Sequence, residues 1–203
     1  MERLPFGPPA PLPRPAGLRP AAFLDRDGTL VEDPGFQRDP AGVRLLPGAG
    51  IAVRRLNAAG IVVVVVTNQS GIARGFITEA EYAAVERRIG ELFALAGARI
   101  DATYHCPHYP EVGGPCECRK PGTLLYRRAA SDLGLDLGAS WGVGDRVSDL
   151  EPVRSLGGRA LLVRTGTGPR HEAGARLAGY EVVADMEAAA DRILSARTPG
   201  GTP

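Results

Sequence analysis

Several short polar segments of this sequence bring together carboxylates, a glycine and a lone lysine. Asp25 and Asp27 are one residue apart and precede Gly28, which lets the chain turn sharply so that both acids can approach one site. Asp145 offers a third carboxylate, and Mg²⁺ prefers oxygen ligands of this kind. Lys120 is the only lysine in the chain, and every other one of its 24 basic residues is arginine. An ammonium and a guanidinium are not equivalent as phosphate ligands, so this position is a candidate for a specific role. Acids, a divalent ion and a cationic donor together indicate phosphoryl chemistry.

A hydroxyl and a turn add further donors for a phosphate group. Thr67 offers its hydroxyl, and the backbone N–H groups of the turn over 68–71 can donate to phosphate oxygens. The sequence has no Walker lysine motif, and the glycines near Gly144 are not spaced as GxGxxG, which argues against a nucleotide or dinucleotide site. An EF-hand is excluded because the glycine after the acids is fourth rather than sixth in the segment. These features favour a phosphatase over a kinase.

Alternating apolar runs and helical patterns predict the frame that positions these side chains. The alternation favours an α/β fold with a Rossmann-like parallel sheet covered by helices on both faces. The run over 61–66 is apolar at every position, which is typical of a central strand. Because parallel strands end at the same edge of a sheet, the polar segments should meet there. The predicted strands cover 21–25, 61–67, 100–105, 141–145, 159–163 and 181–184, and the predicted helices 49–59, 79–96, 123–133, 148–156 and 186–196.

Composition limits the domain organisation and the partners. A chain of 203 residues with 44% hydrophobic positions can form one domain with a full core. Residues 1–20 hold seven of the 18 prolines, which predicts a disordered arm, and we expect a disordered tail over 198–203 around a folded domain over 21–197. The formal charge of +1 gives no basis for a nucleic-acid partner, and no apolar run approaches the roughly 20 residues that span a membrane. Without a signal-like N-terminus, and with three cysteines that cannot form a closed disulfide framework, we expect a cytoplasmic location. We also expect a monomer.

A group of soft ligands lies in one loop over 105–119. Cys106, His108, Cys116 and Cys118 form a set that tetrahedral Zn²⁺ accepts, with no position left open for catalysis. The spacing within each pair is tighter than in most zinc fingers, so three reduced structural cysteines are the alternative. His105 is interpreted as a strand-end residue. A closed zinc site would fix the loop that leads directly into Arg119 and Lys120.

Four motifs resemble, in order and spacing, those of the haloacid dehalogenase (HAD) superfamily phosphatases: Asp25-Arg-Asp-Gly-Thr29, Thr67-Asn-Gln-Ser-Gly71, Arg119-Lys120-Pro121 and Gly144-Asp145-Arg-Val-Ser-Asp149. The runs Thr-Asn-Gln-Ser-Gly-Ile-Ala-Arg-Gly and Cys-Pro-His…Cys-x-Cys-Arg-Lys-Pro are similar to the D-glycero-D-manno-heptose 1,7-bisphosphate phosphatase family within it. The likeness covers about 21–194. It implies the HAD fold, a structural zinc loop, and hydrolysis of the 7-phosphate of that small phosphorylated sugar. No large insertion follows Gly28, so no large cap domain is expected.

The resemblance also implies roles for individual residues. Asp25 would be the nucleophile that forms an aspartyl-phosphate, and Asp27 the acid and then the base. Asp25, Asp145 and the backbone carbonyl of Asp27 would hold Mg²⁺, with Asp149 supporting them, while Thr67 and Lys120 steady the transferring group. Cys106, His108, Cys116 and Cys118 would hold Zn²⁺. Substrate contacts map onto Asp33, Pro34, Gly35, Phe36, Thr67, Asn68, Gln69, Ser70, Arg119, Lys120 and Arg146.

Two positions depart from the family pattern, and two other functions are weighed against it. Arg146 stands where lysine is usual and Phe36 where tyrosine is common, which changes the reach and shape of the substrate contacts. A histidinol-phosphate phosphatase would share the catalytic motifs and the zinc loop, but the run that begins at Ser70 favours the heptose enzyme. A non-catalytic, zinc-stabilised binding module belongs to another class, and the intact acids argue against it.

Overall fold

The structure is a computed structural model that describes residues 17–196, and its centre is a parallel sheet. The strands are β1 (Ala21–Leu24), β2 (Val62–Asn68), β3 (Ala102–Cys106), β4 (Trp141–Gly144), β5 (Arg159–Val163) and β6 (Glu181–Val183). They form one six-stranded sheet in the order β3-β2-β1-β4-β5-β6, and every pairing is parallel. The prediction of a Rossmann-like parallel sheet is confirmed.

Helices cover both faces of the sheet. They are α1 (Ala49–Ala58), α2 (Glu79–Leu95), α3 (Pro110–Gly113), α4 (Leu124–Leu133), α5 (Val147–Ser155), α6 (Gly168–Leu177) and α7 (Met186–Ser195), with a 3-10 helix at Pro40–Gly42. Buried side chains of α1, α2 and α7 form the core on one face. Those of α4, α5 and α6 cover the other face. No large cap domain is inserted between these elements in the part of the chain described, as expected.

Strand β2 shows why its sequence is apolar at every position. Val63 and Val65 point into the core beneath α1 and α2, whereas Val64 and Val66 point to the opposite core beneath α4. Side chains of a strand alternate between faces, so a strand buried on both sides needs apolar residues throughout. The expectation of a central strand at this position is confirmed.

Helix α2 starts at a capping box and carries one charge on its apolar side. The Thr78 hydroxyl accepts the Glu81 N–H at 3.1 Å, and the Glu81 carboxylate accepts the Thr78 N–H at 2.7 Å. The buried positions of this helix are Tyr82, Val85, Glu86, Ile89 and Phe93, at the spacing of one helix face. Glu86 is the only charged residue among them, and its surroundings are described below.

Helix α6 was not among the predicted helices, because residues 165–174 read as a polar segment around His171. Only Gly168 and Ala175 of this helix are buried, so the sequence shows no apolar stripe. Glu172 instead pairs with Arg164 from the preceding loop and with Arg176 one turn later. His171 is half-buried on this helix, outside the cavity described below.

The folded domain begins before residue 21, the boundary that the proline content suggests. The Arg19 N–H donates to the Gly134 carbonyl at 3.0 Å, and the Arg19 carbonyl accepts the Asp136 N–H at 2.8 Å. Arg19 therefore belongs to the folded domain rather than to the arm predicted over 1–20. Residues 1–16 of that arm and the tail predicted over 198–203 lie outside the described residues. Within 17–196, none of the helices has the length and apolar character needed to cross a membrane.

Candidate active site

The topology brings two of the predicted acids to the point where the strand order reverses. Strands β1 and β4 are neighbours, and Asp25 and Asp145 directly follow them. The Asp25 N–H donates to the Val143 carbonyl at 2.9 Å, which ties the first acid to the end of β4. Ligands of open α/β sheets bind at such a crevice. A cavity of about 330 Å³ opens there, lined by Asp25, Asp27, Asp33, Gly35, Phe36, Thr67, Asn68, Gln69, Ser70, Gly71, Arg119, Lys120, Arg146, Ser148 and Asp149.

The Lys120 ammonium lies at the bottom of this cavity among three acceptors. Its Nζ is 2.5 Å from Asp25 Oδ1, 2.8 Å from Asp149 Oδ1 and 2.8 Å from the Val66 carbonyl oxygen. The side chain is 2% exposed, so water hardly competes for it. Asp149 is fixed in turn because its Oδ2 accepts the Arg146 N–H at 2.9 Å at the start of α5. An ammonium has three N–H donors, and each one has a partner here.

The pKa values of Asp25 and Lys120 are both raised, but for different reasons. Burial raises the pKa of Asp25 to about 8, with Lys120 opposing the shift and the neighbouring carboxylates adding to it. Burial disfavours the charge on Lys120, but Asp149 and Asp25 outweigh that effect and raise the pKa of Lys120 above its ordinary value. Lys120 is therefore a permanent cation beside an acid whose charge depends on its partners.

One carboxylate oxygen of Asp145 is satisfied by hydrogen bonds, whereas the other has none and lies 3.7 Å from Arg146 Nε. Its Oδ2 accepts the N–H of Thr167 at 2.7 Å and the Thr167 hydroxyl at 2.8 Å. Its Oδ1 is buried without a hydrogen-bond partner. Gly28 makes room for this arrangement, since its φ is +82° and a Cβ there would lie 2.5 Å from Asp145 Oδ2.

The same carboxylates fit a divalent cation. Oxygens of Asp25, Asp145 and Asp149 lie within 4.8 Å of one another. A buried carboxylate oxygen without a donor, such as Asp145 Oδ1, is costly unless a cation satisfies it. Oxygen donors at this separation suit Mg²⁺. Both oxygens of Asp149 are engaged, Oδ1 by Lys120 and Oδ2 by the Arg146 N–H, whereas Asp25 pairs with Lys120 through Oδ1. Asp25 and Asp145 therefore have the more available oxygens.

Asp27 lines the cavity, and its carboxylate is held by hydrogen bonds from Arg26 and Gln69. Both of its oxygens accept from Arg26, with Nε to Oδ1 at 2.9 Å and Nη2 to Oδ2 at 2.8 Å. Gln69 Nε2 donates to Asp27 Oδ2 at 2.7 Å and to the Thr67 hydroxyl at 2.8 Å. Asp27 and Thr67 therefore share one amide donor, which fixes the acid relative to the end of β2.

The predicted substrate residues surround the mouth of the cavity. Asp33, Gly35 and Phe36 line it from the loop after β1, whereas Pro34 of the same loop is not among the lining residues. Arg146 Nη2 lies 3.8 Å from Asp33 Oδ2, so these two side chains face each other across the mouth. Gly71 allows Phe36 to approach, because a Cβ at that position would lie 2.6 Å from the Phe36 ring.

The predicted zinc ligands converge beside this mouth. The Cys118 sulfur lies 3.1 Å from the Cys106 sulfur, 3.3 Å from the Cys116 sulfur and 3.1 Å from His108 Nδ1. All three cysteines are free thiols. A tetrahedral zinc with Zn–S bonds of 2.3 Å needs ligand atoms about 3.7 Å apart, close to this spacing. The four residues therefore fit Zn²⁺, and Arg119 follows the last of them and donates to the His108 carbonyl at 3.3 Å.

Several functional candidates were missed from the sequence. Thr167, which holds Asp145, lies in a loop that reads as polar and featureless. Ser148 lines the cavity and lies inside the fourth motif, but no role was predicted for it. Arg26 lies inside the first motif, but only the structure shows that its side chain turns inward. A signal for Glu86 was present, because it is an acid at a position where the helical pattern of α2 requires an apolar residue.

Comparison with known proteins places this site in a class of enzymes. Residues 117–189 match the family model described as HAD-hydrolase-like. A D-glycero-beta-D-manno-heptose-1,7-bisphosphate 7-phosphatase from Yersinia pestis is 37% identical over 182 residues, which cover 87% of this chain and 90% of the relative. A D-glycero-D-manno-heptose-1,7-bisphosphate 7-phosphatase from Thermosynechococcus vestitus is 42% identical over 161 residues, which cover 75% of this chain and 82% of the relative.

A solved structure agrees with these sequence relatives. The D,D-heptose 1,7-bisphosphate phosphatase from B. bronchiseptica, complexed with magnesium and phosphate, superimposes with a TM-score of 0.80. It is 36% identical and covers 87% of this chain and 99% of its own. The fold, the site and these likenesses define the class of HAD-like hydrolases. Within that class, the chain belongs to the family that the heptose bisphosphate phosphatases form, which confirms the resemblance drawn from the motifs.

Proposed function

We propose that this chain is a Mg²⁺-dependent phosphatase that removes the 7-phosphate of D-glycero-D-manno-heptose 1,7-bisphosphate through an aspartyl-phosphate. The observation that carries the proposal is the Lys120 ammonium, 2.5 Å from Asp25 in a cavity that Asp27 and Thr67 also line. The names of the relatives support the same substrate. Neither the histidinol-phosphate alternative nor the binding module gains support from the relatives described above.

The first chemical step forms the covalent intermediate. A carboxylate oxygen of Asp25 attacks phosphorus, and the bond between phosphorus and the sugar oxygen breaks. Asp27 gives its proton to that oxygen, so the sugar leaves as a neutral alcohol. The Thr67 hydroxyl binds an oxygen of the transferring group, and the Lys120 cation beside Asp25 stabilises the negative charge that accumulates there.

The second step releases phosphate and restores the enzyme. Asp27, now a carboxylate, takes a proton from water as the water oxygen attacks phosphorus. The bond from phosphorus to Asp25 breaks, inorganic phosphate leaves, and Asp25 is again a carboxylate. The net reaction consumes one phosphate ester and one water and yields one alcohol and one phosphate.

Metal and substrate would be held by residues already in place. Asp25, Asp145 and the backbone carbonyl of Asp27 would bind Mg²⁺, which when bound neutralises charge on the phosphate oxygens. Arg119 would bind the phosphate that stays on the sugar, because the zinc loop fixes the backbone directly before it. Asp33, Pro34, Gly35, Phe36, Asn68, Gln69, Ser70 and Arg146 would contact the sugar or its phosphates.

We further propose that the chain works as a monomer in the cytoplasm. All the residues named in the two steps come from one chain. The zinc loop needs thiols that stay reduced, and the cysteines are free in the structure. A small phosphorylated sugar is the only partner that the proposal requires.

A direct assay of two substrates tests this proposal. The parent and the Asp25→Asn variant are given the heptose 1,7-bisphosphate or histidinol phosphate with Mg²⁺, and phosphate release is measured. We expect a large preference of the parent for the heptose bisphosphate and no turnover by the variant. A preference for histidinol phosphate would reverse the substrate assignment, and a variant as active as the parent would remove Asp25 as nucleophile.

A further inference from the structure

A buried arginine links helix α2 to the proposed acid. The Arg26 guanidinium is 2% exposed and donates to two carboxylates. Its Nε and Nη2 bind both oxygens of Asp27, and its Nη1 donates to Glu86 Oε1 at 2.6 Å. A guanidinium is planar, so fixing the far side of the group with Glu86 also fixes the plane in which it binds Asp27.

Glu86 is as deeply buried as the arginine that it binds. It is 2% exposed and lies on the apolar side of α2, where its neighbours in the helix pack into the core. The Tyr82 ring lies against the other side of Arg26, with the guanidinium carbon 5.6 Å from the ring centroid. An acid is rarely kept in such a place unless it has a buried partner. Tyr82 and Glu86, on successive turns of α2, therefore both contact Arg26.

We propose that Glu86 is a positioning residue for the Asp27 acid and acts through Arg26. Glu86 touches neither substrate nor metal in this proposal. It fixes the guanidinium so that Asp27 presents its carboxyl group to the leaving oxygen of the sugar. The inference rests on the proposed function, because it requires Asp27 to be the proton donor.

Substrates with different leaving groups can distinguish a positioning role of Glu86 from a purely structural one. A sugar alkoxide is a poor leaving group and needs the proton from Asp27, whereas p-nitrophenolate and acetate depart as stable anions. The ratio kcat/KM covers only the steps up to departure of the leaving group. A poorly placed Asp27 therefore lowers kcat/KM for the sugar phosphate and spares p-nitrophenyl phosphate and acetyl phosphate. General loss of structure lowers all three.

The experiment compares Glu86→Gln with a matched control, Glu91→Gln. Glu91 lies on the same helix and pairs with Arg88 at the surface, so the control removes the same charge from an exposed ion pair. For Glu86→Gln we expect kcat/KM on the heptose bisphosphate to fall roughly 10- to 100-fold, a part of the 10²–10⁴-fold that a general acid contributes. The two activated phosphates should change by less than about threefold. The control should match the parent on all substrates.

Two further variants keep the outcome clear. Asp27→Asn must itself show the leaving-group dependence, and its absence would refute the acid role in the proposed function rather than the role of Glu86. Glu86→Asp keeps the charge with a shorter reach and serves if Glu86→Gln does not fold. We expect it to show a smaller selective loss. Equal losses on all substrates, or none, in the folded Glu86 variants would overturn the inference.

Discussion

Replacing Lys120 by arginine should lower the activity strongly even though the charge is kept. Three acceptors converge on the single Nζ atom, from Asp25, Asp149 and the Val66 carbonyl, at 2.5 to 2.8 Å. An ammonium satisfies all three with one nitrogen, whereas a guanidinium spreads its donors over three nitrogens in a plane. The side chain is 2% exposed and its ammonium is enclosed by these acceptors, so the bulkier guanidinium must displace at least one of them.

The expected magnitudes follow from this geometry. Misplacing the cation that stabilises charge on the transferring group should lower kcat about 10²–10³-fold, as the loss of one electrostatic stabiliser does elsewhere. Lys120→Arg should cost about 1–3 kcal/mol of unfolding free energy through overpacking. Lys120→Met leaves two buried carboxylates without their cation and should cost about 3–5 kcal/mol.

Steady-state kinetics and urea unfolding of the two variants provide the test. The control is Arg87→Lys, which makes the reverse exchange at an exposed position of α2 and should leave both quantities unchanged. If Lys120→Arg kept the kcat of the parent, the argument from three converging acceptors would be refuted. If Lys120→Met were as stable as the parent, the two carboxylates would not depend on this cation.

Other predictions concern the zinc loop, the metal site and α6. The purified chain should contain one zinc per molecule by elemental analysis, and Cys116→Ser should lose it; a zinc-free parent would contradict the site. Gly28→Ala should cost about 1–3 kcal/mol of unfolding free energy, since its φ is positive and the new methyl would meet Asp145. Hydrogen bonds from Arg164 and Arg176 lower the pKa of Glu172 to about 2. Glu172→Gln should therefore be less stable than the parent in urea at neutral pH, and the difference should disappear as pH falls from about 4.5 to 2; a difference independent of pH would refute this.

The edge of the sheet at which the candidate site lies was predictable, because local sequence patterns indicate both the strands and the polar segments that follow them. Apolar runs marked the strands, and Asp25 and Asp145 directly followed two of them, whereas Lys120 came after the cysteine and histidine cluster beyond the third strand. The rule that parallel strands end at one edge of a sheet then placed Asp25, Lys120 and Asp145 together. The convergence of Cys106, His108, Cys116 and Cys118 was predictable for a similar reason, since all of them lie in one loop. The resemblance to known motifs then supplied roles that spacing alone could not.

The contacts that orient these residues were not predictable from local pattern. Glu86 is 60 residues from Arg26, and Thr167 is 22 residues from Asp145. Such pairs depend on how helices and loops pack against the sheet, and this packing cannot be read from local sequence patterns. Helix α6 was missed because ion pairs around Glu172, rather than an apolar stripe, accompany it.

Trapping the covalent intermediate tests the central claim most directly. The chain is mixed with the heptose bisphosphate and Mg²⁺, quenched in acid during turnover, digested and analysed by mass spectrometry. We predict one phosphoryl group on the peptide that contains Asp25, and none in the Asp25→Asn variant. A phosphoryl group on another residue, or turnover by Asp25→Asn at the rate of the parent, would contradict the account.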